Sequence, residues 1–364
     1  MVEAQLKLDY RKDVLVDFFD HIKSGDSFYV VGAPSMGKTR LMDFLMGDNQ
    51  IFIPGQDSNF DRDIVKKYYL GEIQAAATWL IRVDLDRISH EYNWTFSFYE
   101  LLLSAVLFSC SKQPQTTQIV EIKTTLASLD SQVLQSKDPL IAQRYFELAM
   151  NKLCQEYQVK LCFMFDEFDE AYKNMPREVF AQLRAIRDAN KYRLFYALFL
   201  RNLPETLRRS TDNEGFYELI SRHPIGLGPF NRADCLRVIA EIEVLKNCRL
   251  SDDQHDRLVV ASGGHPGLLN ALFDVIKDGP EASLPISGWD WYFSQETVRE
   301  EFRKLWNGLT DEEKDGLKTF ARGNIKDLKP LARKILVIKG LLKRDGLSLN
   351  YFTPLLPLFL ATLA

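Results

Sequence analysis

The segment GAPSMGKT, from Gly32 to Thr39, limits the fold of this chain more than any other feature. It matches GxxxxGK[ST] in full, a pattern that works only between a buried strand and the first turn of a helix. Both flanks fit: the short apolar run SFYVV precedes it and TRLMDFLM, with helical spacing, follows. In that setting the backbone N–H groups of Gly32, Ala33, Pro34, Ser35, Met36 and Gly37 curve around phosphate oxygens, proline excepted, with the glycines permitting close approach. Lys38 is expected at the β- and γ-phosphates, the Thr39 hydroxyl on magnesium, and Arg40 on the same first turn. The motif predicts ATP or ADP with Mg2+.

A parallel sheet is predicted around this loop. Apolar runs at TWLIRVDL (78–85), VKLCFMF (ending at Phe165), RLFYALFL (ending at Leu200) and PIGLG (224–228) read as buried strands. Helical stretches near 96–108, 142–157 and 176–190 alternate with them, as does a helix over Tyr10 to Gly25 that leads into SFYVV. The expected fold class is α/β, a P-loop three-layer sandwich with a parallel sheet, over residues 1–229. The polar segment 111–140 shows only weak helical periodicity and reads as an exposed insertion of unknown purpose.

The run LCFMFDEFDE supplies a second half to the site, because a strand ending in Asp166 and Glu167 delivers two carboxylates to the sheet edge where ligands bind. Alone, this would be a solvated acidic strand end. Beside the phosphate loop, Asp166 is expected to hold magnesium through water, and Glu167 to act as general base on the attacking water. Asp169 and Glu170 read as the start of the next helix. The following strand ends in Leu200-Arg201-Asn202, where a cation or an amide could sense the γ-phosphate, or Arg201 could be a solvated strand end.

After residue 230 the pattern turns helical, at 231–244, 252–262 and 265–276, which predicts a helical lid over 230–285. A Pro/Gly/Ser-bearing stretch, 278–288, reads as a linker. Helices near 297–307, 311–322 and 326–339, a Thr310…Glu313 capping box and the hairpin-like KRDGLSLNYF predict a further small domain over 286–364. His265 has no Cys or His partner at metal-ligand spacing, and GGHP marks a helix start.

Composition excludes little but excludes it clearly. Five scattered cysteines with no CxxC pair favour neither a disulfide framework nor a zinc site and fit a reducing cytoplasm. No uninterrupted apolar stretch reaches the ~18 residues that span a bilayer, and no membrane partner is expected. The net charge of −4 is far from a strongly basic nucleic-acid footprint.

These residues together resemble the STAND ATPases, relatives of the AAA+ and origin-recognition ATPases. The anchors are Gly32–Thr39, Phe165-Asp166-Glu167 and Gly264-His265-Pro266, and the resemblance covers the chain from Tyr10-Arg11 onward. It implies that Pro266, with His265, contacts the adenine, and that Tyr10 and Arg11 help to form the same pocket; Tyr10 stands where the family often has glycine. It implies a sensor role for Arg201, an arginine-finger position at Arg222, and a C-terminal winged helix. The family's members usually continue into repeat sensors or effector domains, so signal and output are expected from other chains.

Three functions are consistent with this reading. The first is a switch, closed with ADP, and with ATP open for self-association or for a protein partner. The second is a DNA-handling ATPase whose winged helix grips duplex DNA through Lys326, Lys329, Arg333 and Lys334, although Asp311, Glu312, Glu313 and Asp315 dilute that face. The third is a scaffold that binds nucleotide without hydrolysis, against which the intact Lys38, Thr39, Asp166 and Glu167 argue.

Overall fold

The computed structural model describes residues 8–47, 63–88, 94–279, 288–346 and 348–363. Five strands form one parallel sheet: β1 Phe28–Val31, β2 Thr78–Asp84, β3 Lys160–Asp166, β4 Leu194–Leu200 and β5 Pro224–Gly226, in the order β2-β3-β4-β1-β5. β4 (LFYALFL) is buried at every position because it lies between β3 and β1 and is covered on both faces, which is why it reads as an unbroken apolar run. β4 also separates the strand that feeds the phosphate loop from the strand that ends in Asp166.

Alternate side chains of the strands feed two apolar interiors. On one face Phe28, Val30, Phe195 and Phe199 pack with Phe18 and Ile22 of the helix Lys12–Ser24. On the other, Val31, Ile81, Phe163 and Leu198 pack with Phe98, Leu102 and Val106 of the helix Trp94–Ser111. That 18-residue helix is apolar and long enough to cross a membrane by composition, yet it packs along β2 and buries residues such as Phe98, Leu102 and Val106 in this second interior.

The first interior does not stop at the α/β layer. It runs on through Val238, Leu258 and Leu269 of the helices Arg232–Leu245, Asp252–Ser262 and Pro266–Lys277. From there it reaches Phe302, Leu317, Leu336 and Leu355 in the C-terminal region. That region comprises helices Glu296–Asn307, Asp311–Ala321 and Pro330–Ile338, an antiparallel hairpin of β6 Leu342–Asp345 and β7 Ser348–Tyr351, and a last helix Leu355–Ala361. The Thr310–Glu313 capping box forms: the Thr310 side chain accepts from Glu313 N–H, and the Glu313 carboxylate accepts from Thr310 N–H at 2.7 Å.

Two expectations are corrected. The segment 111–140, expected as an exposed insertion with only weak helical periodicity, carries a 20-residue helix, Thr117–Ser136, capped by Thr116 and packed by Ile122, Leu126, Leu129 and Val133 into the second interior while its other faces stay exposed. The helix expected from 326 starts at Pro330, which fits a helix N-terminus because its missing N–H would have no intrahelical partner there; a 3-10 turn, Ile325–Asp327, precedes it. Most of the linker expected at 278–288 lies outside the described residues.

Candidate active site

The carboxyl ends of β1, β3 and β4 meet at one edge of the sheet, and the phosphate loop rises from β1 there. Ser35 (φ 55°) and Gly37 (φ 86°) both adopt left-handed backbone, which turns successive N–H groups toward one side and makes a concave anion cradle. Gly37 caps the helix Lys38–Leu45 without any side-chain bond, so the first N–H groups of that helix stay available to an anion. Lys38 is buried, and its Nζ donates to the carbonyls of Gly32 (3.0 Å) and Ala33 (3.5 Å). Burial pushes its pKa down, and the carboxylates of Glu167 and Asp169 oppose the shift. Thr39 is exposed on the first turn.

Asp166 ends β3 as a buried carboxylate whose pKa burial raises and the guanidinium of Arg82 pulls back. Arg82 donates to Asp166 Oδ2 and to Asp43 Oδ1, both at 2.7 Å, and so ties β2, β3 and the loop's helix together. Glu167 follows in left-handed backbone (φ 46°), an unfavourable conformation for this residue type and one that clusters at functional sites. Its Oε2 pairs with Arg201 NH2 at 2.6 Å. Asp169 does start a helix, Asp169–Asn174, but its carboxylate also accepts from the backbone N–H groups of Arg201 (2.8 Å) and Asn202 (3.0 Å), fixing the end of β4.

The helical region clamps the other side of the loop. Tyr10 is buried between Phe44 and Phe230. Arg11, buried with left-handed backbone, lies 4.2 Å over the Phe230 ring and donates to the carbonyls of Gly228 and Met36, both at 2.7 Å; its own N–H donates to Asp234. Arg40 pairs with Glu241 of the helix Arg232–Leu245. His265 is fully buried: Nε2–H donates to Pro34 O (3.2 Å) and Nδ1 accepts from Leu268 N–H (3.2 Å), which occupies both ring nitrogens. Pro266 lies against Gly37, where an added Cβ would fall 3.7 Å from the proline Cγ and from Arg11 NH2.

The C-terminal region closes the site. A cleft of about 450 Å³ has Ser35, Lys38, Glu167 and Arg201 on one wall and Lys304 and Asn307 on the other. A second cleft of about 510 Å³ shares Glu167 and Arg201 and extends past Asn202 to Thr310. Beside it, the fully buried Lys339 pairs with Glu313 Oε1 at 2.5 Å and donates to Asn202 Oδ1 at 3.1 Å. Arg222, exposed, precedes β5, whose Pro224 pairs with Tyr29, so it lies at the sheet end away from the loop.

Sequence reasoning missed Arg82, Lys339 and the carboxylates Asp234 and Glu241; it named Asn202 as an amide that could sense the γ-phosphate, without its bond to Lys339. Only Arg82 left a signal, as a lone cation inside an apolar strand; the others depend on contacts across more than a hundred residues. Among the described residues no cluster of three or more His, Cys, Asp or Glu could hold a metal alone; Thr39 and Asp166, with the phosphates of a bound nucleotide, are the groups of this edge that could hold magnesium.

No protein-family model matches the chain, and no curated protein matches its sequence. Among solved structures it is similar to a Walker-type ATPase of Pyrococcus abyssi at 12% identity and TM-score 0.55, over 96% of this chain and 95% of that one. Cdc6p from Pyrobaculum aerophilum aligns at 11% identity and TM-score 0.41, over 99% and 93%. A signal transduction ATPase with a tetratricopeptide repeat sensor from Pyrococcus horikoshii aligns at 12% and 0.34, over 97% of this chain and 42% of that one. The first likeness shows the P-loop fold; the two looser superpositions carry no argument.

Proposed function

We propose that this chain is an ATPase of the AAA+-like P-loop class that works as a nucleotide-dependent switch of the STAND type. The observation that carries the proposal is the Glu167–Arg201 pair, set beside Lys38 in a cleft whose far wall belongs to the C-terminal region. A general base and a phosphate-sensing cation hold each other until a terminal phosphate competes for the arginine. That competition would free Glu167 to orient water and would disturb the end of β4, where Asn202 is bonded to Lys339.

On this reading Lys38 exchanges its bonds with the loop carbonyls for phosphate oxygens, Thr39 and Asp166 serve the metal, and Pro266, Arg11 and Tyr10 border the base. Magnesium, when bound, neutralises charge on the phosphates. His265, with both ring nitrogens taken, is assigned to joining lid and loop ahead of contacting the base. ADP favours the closed arrangement and ATP an open one able to meet a second copy or a protein partner.

The test is turnover of Mg-ATP by the wild type, Lys38→Ala and Glu167→Gln, together with the nucleotide released on denaturing protein purified without any. Glu167→Gln should keep ATP binding and lose turnover by two orders of magnitude or so; unchanged turnover rejects the assignment of the base. Retained ADP in the wild type supports the closed switch. The exposed side chains of Lys326, Lys329 and Lys334 favour duplex DNA as a second reading, which stimulation of turnover by DNA would move to the front.

A further inference from the structure

The wall that the C-terminal region adds to the phosphate cleft is seated directly on the loop. A Cβ at Gly308 would fall 2.1 Å from Pro34 Cγ, so no layer of water separates wall and loop there; the wall's Glu301 packs on the helix Pro266–Lys277, where a Cβ at Gly267 would fall 2.0 Å from Glu301 Oε1 and 2.8 Å from Ser35 Cβ of the loop. The charge of this wall is unusual for a surface facing phosphate. The helix Glu296–Asn307 ends at the cleft, which turns the negative end of its dipole toward it. The cation this wall contributes, Lys304, is held by Glu301 at 3.3 Å. Glu301 is buried, its side chain 8% exposed, and its Oε1 has no hydrogen-bond partner, whereas Lys304 is 65% exposed. His265, the other titratable group beside Glu301, is held neutral by burial.

We infer that Glu301, acting through Lys304, makes the closed cleft selective for a nucleoside diphosphate over a triphosphate. A terminal phosphate facing this wall meets a dipole of its own sign and a cation already paired. Taking Lys304 for itself would leave the buried Glu301 carboxylate, which has one unbonded oxygen already, without its cation, a loss that opposes triphosphate binding. A triphosphate is therefore accommodated by lifting the wall, whereas a diphosphate leaves the pair intact. Glu301 is a positioning residue here. The inference rests on the nucleotide site proposed above and adds the group that tells the two ligands apart.

The test is equilibrium binding of ADP and of a non-hydrolysable ATP analogue to the full chain, with thermal unfolding as a control for folding. The wild type should prefer ADP. Glu301→Gln releases Lys304 and should raise triphosphate affinity relative to diphosphate by about fivefold or more. Lys304→Gln, held to the same unfolding control, should move the ratio the other way. A ratio unchanged in Lys304→Gln, or in a folded Glu301→Gln, overturns the inference while leaving the nucleotide site standing. A wild type that binds neither ligand overturns both.

Discussion

Arg82 and His265 show how single side chains at this site hold charge in poise. Arg82 is shared between Asp43 and Asp166, and it opposes the upward push of burial on the Asp166 carboxyl. Replacing it with methionine lets that carboxyl rise further, so less of it is ionised under mild acid. The magnesium needed for half-maximal turnover should then climb more steeply from pH 8 to pH 6 than in the wild type, by about threefold or more; parallel profiles would remove Arg82 from this role. His265 is shifted from 6.5 to about 4 by burial. As pH falls below 6.5 the unfolded chain takes a proton that the folded ring refuses until about pH 4, so stability present at neutral pH is lost across that window. His265→Asn keeps a helix cap and removes the titration. Denaturation at pH 4.5 and 7.5 should show the wild type losing on the order of 2 kcal/mol more than the variant. The loop residues Gly32 to Thr39 were legible because their chemistry is written in consecutive positions. Asp234, Glu241 and Lys339 were not, since each acts on a residue far away in the chain.

At the level of elements, the strands were easiest to read, because a central parallel strand such as Leu194–Leu200 is apolar at every position. The helix Thr117–Ser136 was the hardest. Its buried positions, Ile122, Leu126, Leu129 and Val133, do recur at helical spacing, but they form a stripe one residue wide on a polar cylinder. The stripe still carries weight. Leu126→Ala should cost about 2–4 kcal/mol in urea denaturation, and Thr116→Ala, which removes the cap on Ile119 N–H, about 1 kcal/mol. A value near zero for Leu126→Ala would return the helix to the status of a loosely held insertion. The short helices Ile64–Leu70, Glu72–Ala77 and Trp289–Ser294 escaped notice because six or seven residues do not complete enough turns to establish a period.

Across the whole molecule, the contact between the α/β layer and the C-terminal region turns on a fully buried ion pair. Lys339 is bonded both to Glu313 and to Asn202, the neighbour of Arg201. Lys339→Met leaves the Glu313 carboxylate without its cation and should destabilise the protein by about 3–5 kcal/mol; adding Glu313→Gln, which keeps the cap on Thr310, should restore much of that loss. If the double variant is no more stable than the single one, the pair is not the source of the effect. A second global feature is the first apolar interior, which passes without interruption from the N-terminal helix through the lid to the last helix. Any opening of the C-terminal region exposes part of that surface, and newly hydrated apolar surface raises heat capacity. The balance between shut and open forms must then bend with temperature. Shutting has an optimum, and the open population grows on cooling below it as well as on warming above it.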